Sequence, residues 1–334
     1  MTPDSATIDR FAFFFERIFE RTPTAASPLA LAVSGGADSM AMLALAAAAF
    51  PGATIAATVD HGLRAAAAEE CAMVARVCDQ LGVAHATLHA GAPIVGASLQ
   101  AQARRRRYDL LIDWATAASA TMLATAHQTD DQAETLLMRA ARGAGLSGLA
   151  GVRSVREASS SAGATITLVR PLLDWRRAEL RAIVRRAGMP FVDDPANDDP
   201  RHDRTRFRRL LGENEWLDPP RLARAAAHLA EADADLRAIA DWLWRTRRLA
   251  GRGAGVKIDM SDLPRGLQRR LAQRAIGETR RLAGIEKPDW TPDANIEPLL
   301  DALALGKAAT QAGVLVRASG ETWQFRVAPP RRSD

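Results

Sequence analysis

Between residues 29 and 47 the sequence reads LALAVSGGADSMAMLALAA: an apolar run, a Ser-Gly-Gly break, one carboxylate at Asp38, one hydroxyl at Ser39, and then helix-forming residues. Few folds accept that order. A simple turn needs fewer special residues, whereas a buried strand over Leu29–Val33 that feeds directly into a helix from Ser39 needs all of them. The junction from Ser34 to Asp38 then lies at a helix N-terminus, where backbone amides lack intrahelical acceptors and favour an anion. Glycines at 35 and 36 let that anion come close to the main chain.

The same apolar-then-helical order recurs. Leu29–Val33, Thr54–Asp60, Ala84–His89 and Thr121–Ala126 read as short buried strands, separated by helical patterns around 39–49, 66–81 and 98–118. Such alternation predicts an α/β fold, a parallel sheet with helices on both faces. Ligands of these folds collect beyond the carboxyl ends of the strands. The residues there are SGGADS (34–39), HGLR (61–64) and HQTDDQAET (127–135), three polar clusters expected on one edge.

Charge narrows what the first cluster can be. The chain carries only three lysines, at 257, 287 and 307. A Walker-type phosphate loop sets a lysine beside its glycines, so SGGADS must hold its anion through amides and hydroxyls. Cys71 and Cys78 lie seven apart in one amphipathic helical pattern, with no Cys-x-x-Cys pair, so neither structural zinc nor a disulfide framework is expected. In that reading they sit away from all three polar clusters. The longest strongly apolar run, Met40–Phe50, is far below the roughly 20 residues of a membrane span. Asp4 and Asp9 stand where a secretory leader would be basic. These features predict a cytoplasmic protein that makes no membrane contact.

After a Ser/Gly/Ala-rich insert at 158–164, LVRPLLDWRRAELRAIVRRAG reads as an extended segment and a basic helix. DDPANDDPRHDRTRFRR (193–209) is too charged for a core. Residues 221–248 form a long alanine-rich helical pattern, and 313–317 and 322–327 are candidate strands. A boundary near 215 is expected, with residues 1–215 as a catalytic domain and 216–334 as a smaller, mainly helical one.

In HQTDDQAET, Asp131 and Glu134 are three apart and Asp130 and Glu134 four apart, which puts carboxylates on one face at the start of a helix. Thr129 with Gln132 fits a capping box, and acids suit the positive end of a helix. Caps alone do not call for three acids beside His127. The arginine run 104–107 points around most of a helix circumference, so its members cannot all face one ligand.

SGGADS, VDHGLR, ARRRRY (103–108), AHQTDDQAETLLMRAARGAGLSGLAG and RPLL, in this order, resemble the tRNA(Ile)-lysidine synthetase family of N-type ATP pyrophosphatases, whose fold is the PP-loop or adenine nucleotide alpha hydrolase-like sheet. The resemblance implies ATP-dependent attachment of L-lysine to the wobble cytidine of a minor tRNA(Ile) with a CAU anticodon, by way of an adenylated tRNA. It implies ATP contacts from Ser34, Gly35, Gly36, Ala37, Asp38, Ser39, His61 and Arg64. Asp38, being negative, suits a Mg²⁺ held against the phosphates rather than the phosphates themselves. Asp131 and Glu134 are implied to recognise lysine, with His127 as a further candidate in catalysis. Arg104, Arg107, Arg204, Arg206 and Arg208 are implied to meet tRNA, and a homodimer is compatible with the family. One departure stands out: Thr205 follows Arg204 where the family usually has asparagine, which removes an amide donor and acceptor pair.

Other readings compete. A tRNA 2-thiolase on the same scaffold needs sulfur handling, an amidotransferase-linked synthetase needs a glutamine-hydrolysing partner, and a non-catalytic nucleotide- or RNA-binding module leaves the loop and the acids without work.

Overall fold

The computed structural model describes residues 2–60, 65–91, 99–193, 203–250, 255–291 and 294–329. These fall into two compact units, Met1–Ala230 and Glu231–Asp334.

In the first unit, helix α1 (Ser5–Ile18) precedes β1 (Leu29–Ala32), α2 (Ala37–Ala49), β2 (Thr54–Asp60), α3 (Ala65–Gln80), β3 (Ala84–His89), α4 (Leu99–Ala117) and β4 (Met122–Ala124). All four expected strands are present, each within two residues of its expected ends. Then follow α5 (Thr129–Ala141), the short α6 (Leu146–Leu149), β5 (Val155–Ser159), β6 (Thr165–Val169), α7 (Arg177–Arg186) and α8 (Asp203–Glu213). The sheet order is β3-β2-β1-β4-β6-β5. Every pairing is parallel except β5 with β6. The Ser/Gly/Ala insert at 158–164 is the turn of this edge hairpin, with Ser159 opposite Thr165.

Both faces of the sheet are covered, and β1 shows why. Leu29 and Leu31 enter one core with Phe11, Phe15, Met40 and Leu43, while Ala30 enters the other with Leu111, Ile112, Leu123 and Leu168. A strand buried on both sides reads as an unbroken apolar run. Helix α2 is buried along Met40–Ala46, wedged between the sheet, α1 and α7. Its alanines permit that close packing, and burial on every side explains its lack of an apolar stripe.

β1 has β2 on one side and β4 on the other, while α2 and α4 pack on opposite faces. That is the switch point at which a doubly wound sheet opens a crevice beyond its strand ends. The loops after β1 and β4 flank it.

Helix α9 (Pro219–Thr246) crosses from the first unit into the second. The second unit adds β7 (Arg248–Leu249), β8 (Val256–Asp259), α10 (Arg265–Ala283), α11 (Glu297–Ala304), β9 (Ala309–Gln311), β10 (Val314–Ser319) and β11 (Thr322–Val327). Beside the expected helices stands a five-stranded antiparallel sheet, β7-β8-β11-β10-β9. The candidate strands at 313–317 and 322–327 are its central hairpin. Ile258, Leu271, Ile276, Val316 and Phe325 are fully buried between this sheet and its helices. Among the described residues no helix is long and apolar enough to cross a membrane.

Candidate active site

Gly35 has φ +85°, a conformation that L side chains rarely adopt, and its carbonyl accepts the Val192 amide at 2.9 Å. This bond ties the loop to the chain after α7. Gly36 caps α2 through its backbone alone, and its carbonyl accepts from Ser39 Oγ at 2.9 Å. Ser34 donates its amide to Ser39 Oγ at 3.2 Å. The hydroxyls thus brace the loop, leaving the first-turn amides of α2 directed at the crevice, as an anion site requires.

Asp38 stands in that first turn. Its Oδ1 is buried with no hydrogen-bond partner among the described residues. Burial, and next the Asp131 carboxylate, push its carboxyl up to about 6, against the pull of Arg177 and Arg181.

Asp131, on α5, stands close enough to this turn for its charge to act on Asp38. The expected cap is displaced by one residue: Gln128, not Thr129, is the N-cap, and its amide donates to Asp131 Oδ2 at 3.2 Å. The reason is tertiary. Thr129 donates its hydroxyl to Leu173 O at 3.0 Å and its amide to Trp175 O at 2.9 Å, while Gln132 exchanges two 2.6 Å bonds with the backbone of Val152.

Glu134 is fully buried and receives three arginines. Arg177 Nη2 and Arg208 Nε each donate to Oε1 at 3.0 Å, and Arg204 Nε donates to Oε2 at 2.8 Å. Arg204 Nη2 also reaches Asp131 Oδ1 at 3.0 Å. Burial alone would raise the Glu134 carboxyl, but Arg177, Arg208 and Arg204 outweigh it and hold the group below its ordinary value. Asp131 goes the other way: burial and the Glu134 charge raise it despite Arg204 and Arg177. Two neighbouring carboxylates thus differ in sign of shift, a pattern that separates a proton acceptor from a fixed charge. Asp130 faces away, bound by Arg176 and by the Arg177 amide at 3.0 Å.

His127 shares a 3.1 Å bond with Thr125 through Nδ1. Burial, followed by the charges of Arg170, Arg204, Arg104 and Arg107, pushes it down to about 3, so the ring is neutral at physiological pH.

A cavity of about 820 Å³ joins these parts. Ser34, Gly36, Ala37, Asp38 and Ser39 line one side. His127, Asp131, Arg104, Arg107, Arg204 and Arg208 line others. Gly35 and Glu134 stand behind the lining, and Arg206 is exposed on α8. His61 and Arg64 lie outside the described residues. Sequence reasoning overlooked Arg177 and Arg181, which also line the cavity; the signal was the Arg pair that follows RPLL. It also misplaced Cys71. That thiol is on the cavity wall, because the first turns of α3 pass over the end of β2. Burial, then Asp60 and Glu70, raise it further from the reactive thiolate, and burial raises Cys78 to about 12. Among the described residues no group of three His, Cys, Asp or Glu side chains gathers as for a metal.

Comparison with known proteins places the chain in a family. The PP-loop domain family matches residues 9–215. The tRNA(Ile)-lysidine synthase of Zymomonas mobilis is 40% identical over 91% of this chain and 89% of its own length. That of Novosphingobium aromaticivorans is 44% identical over 91% and 90%, and that of Methylobacterium nodulans 40% identical over the whole of both chains. Among solved structures, the U34-tRNA thiolase NcsA of Methanococcus maripaludis, described with its [4Fe-4S] cluster, superposes with TM-score 0.52 at 17% identity over 67% of this chain and 79% of its own, a likeness of fold. With identity of this extent along nearly its full length, and a PP-loop domain at its N-terminal end, the chain belongs to the tRNA(Ile)-lysidine synthase family.

Proposed function

We propose that this cavity binds ATP, L-lysine and the CAU anticodon of tRNA(Ile), and joins lysine to carbon 2 of the wobble cytidine in two steps. The observation that carries this reading is the meeting, at one cavity, of an amide-lined loop, an Asp38 oxygen unpartnered among the described residues, and Asp131 on the lining backed by Glu134 with the opposite shift.

In the first step the cytosine carbonyl oxygen bonds to the α-phosphorus of ATP and the bond to the bridging oxygen breaks, releasing pyrophosphate. The amides of Ala37, Asp38 and Ser39 hold the charge that develops on the leaving group. Asp38 fits a Mg²⁺ site of the kind that uses one carboxylate together with substrate phosphates, and its orphaned Oδ1 is the atom that would hold the ion. Mg²⁺ bound there supplies neutralisation of phosphate charge.

In the second step the lysine ε-amine bonds to carbon 2, the carbon–oxygen bond to the adenylate breaks, and AMP leaves with the electron pair. The amine must be neutral to attack and must lose a proton afterwards. Asp131, raised by burial, is the better acceptor for that proton. His127 cannot hold it, because burial, and after it four guanidiniums, oppose its charge. Glu134 remains ionised and orients the arginines around the lysine pocket. The lysine ammonium competes with Arg204 for Asp131 Oδ1 as it enters.

The thiolase reading receives no support from chemistry. One buried, raised thiol at the wall, with Cys78 buried in the core, offers no sulfur relay. Incubating the protein with ATP, labelled lysine and a CAU-anticodon tRNA(Ile) transcript tests the proposal. Lysine-dependent label in the tRNA is the expected result; nucleotide or RNA binding without pyrophosphate release would reduce the protein to a binding module.

A further inference from the structure

The cavity carries its charge unevenly. On the side of α5, each carboxylate has a guanidinium partner. On the other side stand three guanidiniums, Arg104, Arg107 and Arg170, for which the described residues supply no carboxylate. Arg104 and Arg107 lie over the Tyr108 ring, at 5.2 and 5.6 Å from its centroid. Both line the cavity with Tyr108.

Arg170 stands behind them. It follows β6 directly, its amide bonded to Ser154 O at 2.8 Å, and the Thr125 amide bonds the carbonyl of the preceding Val169 at 3.0 Å. That register sets Arg170 beside the strand end that carries His127. Only 3% of its surface is exposed, its Nη1 donates to a backbone carbonyl, of Arg153, and its Nε has no partner. Burial pushes this guanidinium down to about 10, and no carboxylate among the described residues offsets it. Its side chain also hydrogen-bonds Tyr108, so within the described residues the fold gives it hydrogen bonds but no carboxylate.

We propose that Arg170 is a positioning residue: with Arg104 and Arg107 it forms a wall around Tyr108, lacking a carboxylate partner among the described residues, that seats an RNA phosphate flanking the wobble cytidine. This rests on the proposed tRNA substrate. The alternative phosphate source is ATP, whose pyrophosphate belongs to the Ser34–Ser39 loop at the end of β1. β4 lies between β1 and β6, so the two anion subsites are separated by two strand spacings, roughly 10 Å. The low dielectric of the wall lets Arg170 act on a phosphate it does not touch, and after burial, the main cause, the same field adds to keeping His127 neutral.

The test measures binding, so it does not depend on turnover. A CAU anticodon stem–loop RNA is compared with the same RNA carrying neutral methylphosphonates on both sides of the wobble cytidine. Wild type and Arg170→Lys should prefer the native RNA by about tenfold or more, and Arg170→Met should narrow that preference to about threefold or less. A purely structural Arg170 would lower affinity for both RNAs alike, leaving the preference in the methionine variant and overturning the proposal. Equal affinity of the wild type for the two RNAs overturns it without any variant. So does an Arg170→Met protein that loses ATP affinity while keeping its RNA preference, which would seat the nucleotide on the wall. A wild type that prefers the native RNA but never incorporates lysine keeps the wall and removes the reaction.

Discussion

Arg204 places its guanidinium across two acids of α5, 2.8 Å from Glu134 Oε2 and 3.0 Å from Asp131 Oδ1. An arginine expected from the sequence to meet RNA, and two acids expected to meet lysine, therefore satisfy one another in the folded chain. Removing either side has consequences for stability as well as for substrate use.

Glu134→Gln leaves Arg177, Arg204 and Arg208 around a neutral amide. Breaking a buried ion pair on one side costs about 3–5 kcal/mol, so the variant should unfold at clearly lower denaturant concentration. It should also need more lysine for the same single-turnover rate, while adenylation of tRNA without lysine persists. Unchanged stability together with unchanged lysine dependence would remove Glu134 from both roles.

Asp38→Asn keeps the shape of the first turn of α2 and removes the charge. Pyrophosphate release should be abolished while circular dichroism and the unfolding midpoint stay close to wild type. A folded Asp38→Asn protein that releases pyrophosphate at the normal rate contradicts the metal role.

His127 is held neutral, down to about 3, whereas an unfolded chain protonates histidine near 6.5. Its folded form thus contributes stability that is fully present above about pH 6.5 and is lost as the pH falls towards 3. Relative to His127→Gln, the wild type should lose up to about 1.4 kcal/mol per pH unit below 6. Parallel stability profiles for the two proteins between pH 6 and 4 would show that the ring titrates normally.

On α8, Arg208 points inward to Glu134 and Arg206 is exposed. Arg206→Ala should reduce the slope of log tRNA affinity against log salt by roughly 0.7–0.9, the effect of one phosphate contact. Arg208→Ala should leave the slope in place and lower stability instead. The reverse pattern would mean that α8 turns its other face to the RNA.

Cys71→Ala removes the thiol from the cavity wall. Lysine incorporation should survive the change. Loss of activity in a folded variant would revive sulfur chemistry.

The sheet was legible because β1 and β4 are buried along nearly their whole length and leave apolar runs, and because Gly35 and Gly36 mark the break between β1 and α2; β3, half-exposed at the sheet edge, is less buried than its pattern suggested. Hydrogen bonds over long sequence separation leave no local trace. Thr129 looks like a helix cap until Trp175 and Leu173, more than forty residues away, take its amide and hydroxyl. Arg177 reads as one of many basic helix residues, and only folding shows that it meets Glu134. Cys71 was misplaced for a related reason: periodicity gives the face of α3, but not what passes beneath it.

The central claim is that one cavity activates the RNA first and delivers lysine second. Single-turnover reaction of ATP labelled in its α-phosphate with CAU-anticodon tRNA(Ile), first without lysine and then with it, tests this most directly. The account predicts label bound to the tRNA before lysine is added and its discharge as AMP afterwards, with lysine joined to the cytidine. Label that never enters the tRNA, or that appears on lysine in place of RNA, would contradict it.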